Sequence, residues 1–457
     1  MFVQSGVIFV AKSIKYFGVG ADSLQLNNIK VQAIIIFLKT ANHQLKTANF
    51  FIFAAININT MSALSNRINN LSESATIKMA KMGRELAAKG VDVISLSFGE
   101  PDFHTPEHIK DAAKRAMDEN YTYYTPVSGY PELRKAIAKK LKDENDLDYD
   151  FSQIVVSTGA KQSIANAVMC LVNPGEEVII PTPYWVSYSE IVKLAEGVSV
   201  FIDTDVDTNF KITPEQLEAA ITPKSKLFMF SSPSNPTGSL YSKAELEGLA
   251  KVFEKHPQIY ILSDEIYEHI NYGDKHESIA QFDSIKDRVV IINGFSKSYA
   301  MTGWRIGYSA SSKETAAAFD KLQGQITSGT CSITQRAGIA AYEGGLESVY
   351  AMRTEFKKRR DLVYGLLSEI DGLKVNLPEG AFYFFPNVAS FFGKSCNGKT
   401  INDSDELAIY LLEEGHVATV GGDSFGDPKS LRISYAASEE QLTEAVRRIK
   451  EALGKLK

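Results

Sequence analysis

Six short, nearly unbroken apolar runs recur along the chain, at residues 154–156, 178–180, 227–230, 259–262, 289–292 and 306–308. Most are separated by amphipathic stretches such as 163–172 and 244–253. Apolar runs without alternation read as strands covered on both faces, and strands alternating with helices build a mostly parallel sheet flanked by helices. The expected fold class is therefore α/β. Helical spacing at 79–89 and alternation across 91–98 precede these runs, and beyond Tyr342 the pattern changes to a long charged helical stretch at 349–367 followed by short strands and helices. The expected organisation is a large domain at 106–342 and a smaller α+β domain at 343–457, to which the N-terminal segment 61–105 also belongs.

Residues 1–60 do not share this patterning. They hold five Lys, no Arg and a single acidic residue, Asp22, and are crowded with Phe, Ile and Asn. The run Ile34, Ile35, Ile36, Phe37 is too short and too far along for a signal-peptide core, and the missing arginines weaken a transit-peptide reading. An extra surface segment, a poor targeting sequence and translation upstream of a true start at Met61 remain open. The A/T-rich codon bias implied by Phe, Ile, Asn and Lys favours the last, so the segment is expected to lie outside the fold.

Charge and cysteine content narrow the function classes. With 49 Lys+Arg against 55 Asp+Glu the chain is net acidic, which argues against a partner bound through a phosphate backbone. Three widely spaced cysteines, Cys170, Cys331 and Cys396, supply neither a disulfide framework nor a zinc site, and fit a reducing cytoplasm. No metal site is expected. No stretch reaches the roughly 20 largely apolar residues that a bilayer span needs.

In α/β sheets the ligand crevice lies beyond the carboxyl ends of the strands, and here those ends carry polar groups. The run at 154–156 leads through Ser157, Thr158 and Gly159 into Ala160, Lys161 and a helix, whose free N–H groups could hold a phosphate, although a plain strand-to-helix turn looks the same. The run at 259–262 leads to Asp264 and Tyr267, an acid that could instead serve as a helix cap. The run at 227–230 ends in a stiff Pro-rich turn carrying Asn235, and that at 289–292 in Ser296 and Lys297, with Arg305 eight residues on. A lysine after a buried strand is poorly solvated, its pKa falls, and it can attack an aldehyde. A phosphate cradle, an acid, a phenol, an amide, a lysine and an arginine at one sheet edge are the set that pyridoxal 5'-phosphate requires.

The motifs Ser97-Phe98-Gly99-Glu100-Pro101-Asp102-Phe103, Pro183-Tyr184-Trp185-Val186-Ser187-Tyr188, Asn235-Pro236-Thr237-Gly238, Ser263-Asp264-Glu265-Ile266-Tyr267 and Ser296-Lys297 through Tyr308 occur in this order. From about Ser65 onward the chain thereby resembles the fold-type I pyridoxal-phosphate aminotransferases, and within them the prokaryotic-type aspartate aminotransferase subgroup. The resemblance implies that Lys297 carries the cofactor as an imine and later moves the substrate proton. It implies that Asp264 pairs with the pyridine nitrogen, that Tyr267 and Asn235 bond the ring oxygen and that Trp185 stacks on the ring. Backbone groups of Gly159, Ala160 and Lys161, with Ser296 and Arg305, would hold the phosphate. Tyr124 would join them from the neighbouring subunit of a homodimer with shared sites. Arg432 would clamp the substrate α-carboxylate, assisted by Gly99 and Asn235. Tyr184 and Tyr188 read as structural aromatics.

The resemblance also bears on substrate. In this subgroup the Lys161 side chain would meet the distal carboxylate of a dicarboxylic substrate, with Ser74 and Thr76 closing over the same end, which favours amino transfer between aspartate and 2-oxoglutarate. Relatives that also use prephenate carry a basic residue two places before that serine, where this chain has Ser72. Transfer of aromatic amino acids is the alternative within the family. A carbon–sulfur lyase is disfavoured by Lys161, Ser74 and Thr76. A transcriptional regulator built on the same fold is disfavoured because residues 1–60 show no basic helix-turn-helix.

Overall fold

A computed structural model describes residues 64–273 and 275–457. Residues 1–60, expected to lie outside the fold, fall outside the described residues. The chain divides into two units, Met1–Asn69 and Asn70–Lys457. Within the first, the described residues form one helical turn, Asn66–Asn69; the rest of the description concerns the second.

Helix α1 (Ala75–Ala87) leads to the two-residue strand β1 (Ile94–Ser95), and helices α2 (Glu107–Asp118) and α3 (Pro131–Asn145) follow. Pro131 opens α3, where its missing N–H costs no hydrogen bond. Next come the strands β2 (Ile154–Ser157), β3 (Glu177–Pro181), β4 (Val198–Ile202), β5 (Ser225–Ser231), β6 (Tyr260–Asp264), β7 (Val289–Gly294) and β8 (Gly307–Ala310). They form one sheet in the order β2-β8-β7-β6-β5-β3-β4. Only β8 runs antiparallel to its neighbours, so its start lies at the same edge as the ends of the other six. Helices α4 (Ala160–Leu171), α5 (Ser187–Leu194), α6 (Pro214–Ala220) and α7 (Lys243–Lys255) connect the strands. Capping boxes at Thr213 with Gln216 and at Ser242 with Glu245 fix the starts of α6 and α7.

The apolar runs alternate between two cores, as a sheet covered on both faces requires. Ile154, Val156, Ile179, Phe228, Ile261 and Ile291 face one cluster. Val155, Val178, Leu227, Met229, Leu262 and Val290 face the other. All six expected runs are strands. A seventh, β4, lies at the sheet edge with Val198 and Phe201 exposed, so no buried run announces it. The alternation at 91–98 yields only the pair in β1; Leu96 still donates to the Ala418 carbonyl, but the carbonyls of Leu96 and Ser97 turn to Ser434 N–H and Arg432.

Helices α8 (Lys313–Ile326), α9 (Ser332–Glu343) and α10 (Glu347–Ser368) lead into the C-terminal part. It contains β9 (Tyr383–Phe384), a small hairpin β10 (Ser395–Cys396) and β11 (Lys399–Thr400), α11 (Ser404–Glu414), β12 (Val417–Ala418), β13 (Val420–Gly421), β14 (Leu431–Ser434) and α12 (Glu439–Gly454). Strands β13, β14 and β9 form an antiparallel sheet, and β1 pairs in parallel with β12. A third core unites Phe356, Phe382, Leu411 and Ile449 with Ile94 and Leu96 from the early segment. Among the described residues no helix is long and apolar enough to cross a membrane.

Candidate active site

The ends of β5, β6 and β7 and the start of β8 open on a cavity of about 480 Å³. It is lined by Ser74, Thr76, Gly99, Ala160, Lys161, Trp185, Asn235, Asp264, Tyr267, Ser296, Lys297, Arg305 and Arg432. Expected site residues therefore converge here from segments spread over most of the chain. Gly159 lies just outside the lining at the start of α4, and Tyr124 is an exception of another kind: it is 96% exposed and stands clear of the cavity of its own chain.

At the corner before α4, Gly159 adopts a left-handed backbone (φ +82°), and a Cβ there would collide with Arg305 Nη2. Glycine is thus required both for the turn and for the guanidinium that lies against it. The first turn of α4 presents N–H groups without intrahelical partners. Arg305 itself has φ +54°, a conformation that costs a non-glycine residue roughly 1 kcal/mol, and donates through Nη1 to the Thr302 carbonyl at 2.9 Å.

Lys297 follows β7 and points its Nζ at the carbonyl of Gly99, to which it donates. Burial, with the Arg432 cation adding to it, lowers the lysine pKa to about 8, so an unprotonated amine is accessible near neutrality. Asp264, at the end of β6 and 5% exposed, has its pKa raised to about 6 by burial. The Tyr188 hydroxyl opposes that rise by donating to Oδ2 at 2.7 Å, and the Ile266 N–H reaches Oδ1 at 3.3 Å. Tyr188 is thus more than a structural aromatic. Its ring also packs edge-on against Trp185, centroids 5.7 Å apart.

Behind this edge a buried polar network fixes the loop after β6. Glu265 accepts from Ser263 and Ser278 at 2.9 and 2.6 Å and faces His276 Nε2 at 3.0 Å. Glu268 receives Lys140 and Asn145, both of α3, while His269 Nδ1 lies 3.1 Å from Ser298 Oγ, beside Lys297. Burial of such charges is tolerated only when partners satisfy them, and here the satisfied pairs pin Asp264, Tyr267 and Lys297 in place.

Arg432 on β14 is 2% exposed and sits between two rings, with Cζ 4.8 Å from the centroid of Tyr383 and 5.0 Å from that of Phe425. It donates to Asn235 Oδ1 at 3.1 Å and to Ser97 O at 2.7 Å. Its Nε has no hydrogen-bond partner, and among the described residues no carboxylate pairs with it. Lys161 lies with Nζ 4.8 Å from the Trp185 ring, and burial together with the Arg305 charge lowers its pKa. Four cations, Lys161, Lys297, Arg305 and Arg432, thus face two carboxylates, Asp264 and Glu100. Such a cavity is built for ligands carrying more than one negative group. Tyr383, Tyr188 and Glu100 are functional neighbours that local sequence pattern does not single out.

Residues 91–449 match the family described as aminotransferase class I and II. A probable aspartate/prephenate aminotransferase of Rhizobium leguminosarum bv. phaseoli is 48% identical over 400 residues, covering 87% of this chain and all of the relative. The aspartate aminotransferase of Bacillus subtilis (strain 168) is 48% identical over 389 residues, covering 85% of this chain and 98% of the relative. Among solved structures, the aspartate aminotransferase from Rhizobium meliloti superposes with a TM-score of 0.84 at 44% identity, covering 86% and 99% of the two chains. The Thermus thermophilus aspartate aminotransferase with maleate does so with a TM-score of 0.81 at 39% identity, covering 86% and 100%.

Proposed function

Since the chain belongs to the class I and II aminotransferases, we propose that it moves an amino group between L-aspartate and 2-oxoglutarate, using pyridoxal 5'-phosphate held in the cavity beyond β5, β6 and β7. When bound, the cofactor supplies an aldehyde for an amine and a ring that accepts electrons. The residues fit it: a glycine turn that leaves room for Arg305, a helix start, a buried carboxylate and a lysine whose amine is free near neutral pH.

Lys297 Nζ holds the cofactor and afterwards takes a proton from the substrate Cα and delivers it. Asp264 accepts the proton-bearing ring nitrogen as its ion partner. Tyr267 and Asn235 bond the ring oxygen, and Trp185 covers the ring face. Backbone groups of Gly159, Ala160 and Lys161 at the start of α4, with Ser296 and Arg305, bind the phosphate, and Tyr124 of the partner subunit completes that corner in a homodimer. Arg432 grips the α-carboxylate beside Gly99 and Asn235. The Lys161 ammonium meets the distal carboxylate, with Ser74 and Thr76 closing that end and excluding water. The chain works in the cytoplasm in this reading, with 106–342 as the cofactor domain and 61–105 and 343–457 as the smaller one.

The observation that carries the reading is the buried Arg432 with its free Nε, an anion clamp without an internal anion. The preference for aspartate over prephenate rests on position 72, where the Ser72 N–H bonds Glu190 Oε2 at 2.8 Å and no cation is supplied. Prephenate is the second reading, favoured by the names of relatives such as that of Rhizobium leguminosarum. A screen of the donor half-reaction tests the first, and return of the absorbance when prephenate rather than 2-oxoglutarate is added to the bleached protein tests the second. Purified protein loaded with pyridoxal phosphate is mixed with each amino acid, and loss of the lysine-bound cofactor's absorbance is followed. Aspartate and glutamate should bleach it fastest; a protein bleached by neither sinks the reading.

A further inference from the structure

The phenol of Tyr383 has no part in the roles assigned above, yet it touches Tyr267, Arg432 and Gly99. Its strand β9 lies beside β14, with Ser434 opposite Tyr383, so Arg432 and Tyr383 are diagonal neighbours on one face and within reach of each other. The ring is fully buried and packs on the Arg432 guanidinium at 4.8 Å. At its other end the hydroxyl lies 2.9 Å from the Tyr267 hydroxyl. A Cβ at Gly99 would come within 2.8 Å of the same oxygen, so residue 99 is kept bare where the Tyr383 hydroxyl needs the space. Gly99 is also the residue whose carbonyl receives Lys297 Nζ.

Two phenols that share one hydrogen bond have two protons, and only one can lie between them. The neighbouring guanidinium makes the Tyr383 O–H the better donor, because a cation stabilises the charge that builds on the oxygen. With Tyr383 donating, the Tyr267 oxygen is satisfied and its own proton points to the cavity. If instead Tyr267 donated to Tyr383, it would have nothing to offer there.

We propose that Tyr383 is a positioning residue: its ring steadies the Arg432 clamp, and its hydroxyl donates to Tyr267 so that the Tyr267 proton is committed to the cavity. The proposal rests on the cofactor reading given above and deepens it. It makes one side chain serve two separable purposes, one through the ring and one through the hydroxyl.

The test uses the full-length protein loaded with pyridoxal phosphate. The pH midpoint of the absorbance of Lys297-bound cofactor is measured for wild type, Tyr383→Phe, Tyr267→Phe and the double variant, and maleate affinity is measured by calorimetry. Tyr383→Phe keeps the ring and loses one neutral hydrogen bond, so the midpoint should rise by about 0.5 to 1 pH unit while maleate affinity changes less than about twofold. In the Tyr267→Phe background the same substitution should add almost nothing, because the route through Tyr267 is gone. Tyr383→Leu removes the ring as well and should weaken maleate about tenfold. Three results would overturn the proposal: an unmoved midpoint in Tyr383→Phe, a full additional shift in the double variant, or equal loss of maleate binding in the Phe and Leu variants. Wild-type protein with no titrating band at all would overturn the cofactor reading, and this proposal with it.

Discussion

The Tyr188 hydroxyl lies 2.7 Å from Asp264 Oδ2, and both groups are buried at the same sheet edge. This bond holds the carboxylate in its ionised form against the burial that drives its pKa up to about 6. A carboxylate with a folded pKa above its unfolded value binds its proton more tightly in the native state. Its contribution to stability is therefore complete at low pH and is lost as pH rises from about 4 through about 6. In cofactor-free Tyr188→Phe that loss should extend to higher pH, as unfolding titrations across pH 4 to 8 can measure. Amino transfer should fall about tenfold, since one charge-assisted hydrogen bond is worth about 1.5 kcal/mol. A variant with the wild-type pH dependence would show that the bond does not tune Asp264.

Lys297→Ala should abolish covalent retention of pyridoxal phosphate after borohydride reduction and lower transfer by several orders of magnitude. The same substitution should also stabilise the cofactor-free protein near pH 7. Burial lowers this amine to about 8, so the unfolded chain holds the extra proton between that value and about 10.4. Wild-type stability should rise with pH across that window, and the slope should shrink in the variant. Calorimetric unfolding of both proteins at pH 7 and 9.5 measures the difference, whose upper bound is about 3 kcal/mol.

The six strands other than β4 are legible in sequence because burial on both faces leaves room for little besides apolar residues. The edge strand β4 is not, since Val198 and Phe201 face outward and dilute the signal. The site is legible where chemistry sits in the strand-end loop itself, as at Asp264, Lys297 and Arg305. It is opaque where a side chain arrives from elsewhere. Tyr188 and Tyr383 look like any buried tyrosine until the fold aims their hydroxyls at Asp264 and Tyr267. Arg432 is anonymous in its strand and only the family resemblance singles it out, because its partners Ser97 and Asn235 are supplied by remote segments.

Lys161 and Arg432 offer the sharpest test of substrate class. Removing the Lys161 ammonium takes away an attraction that aspartate and glutamate can make and phenylalanine cannot. Truncating one partner of such a pair costs about 2 to 4 kcal/mol, so kcat/KM for aspartate should fall about 30- to 1000-fold in Lys161→Ala. Activity on phenylalanine should change far less, whereas Arg432→Ala should weaken every amino acid alike. Steady-state kinetics with both substrates decides it; an equal loss on both in Lys161→Ala would mean that this lysine acts through the cofactor phosphate.

Gly159→Ala probes the phosphate corner alone. The methyl would run into Arg305 Nη2, on a backbone at φ +82° that disfavours any side chain by about 1 kcal/mol. Pyridoxal phosphate should bind at least tenfold more weakly, with little change in the affinity for pyridoxal, which lacks the phosphate. Fluorescence titration with the two compounds separates the effects, and equal weakening of both would place the damage elsewhere.

The two-residue pairing of β1 with β12 joins Ile94 and Ser95 to Val417 and Ala418, near opposite ends of the described chain. Synthesis therefore finishes the site in two stages. Every residue assigned to the cofactor has left the ribosome well before Val417 is made, while the Ser97 carbonyl waits for Arg432 to donate to it. A chain that ends before β12 carries every residue assigned to the cofactor but lacks Arg432, so the clamp for the α-carboxylate is the last part of the site to be made.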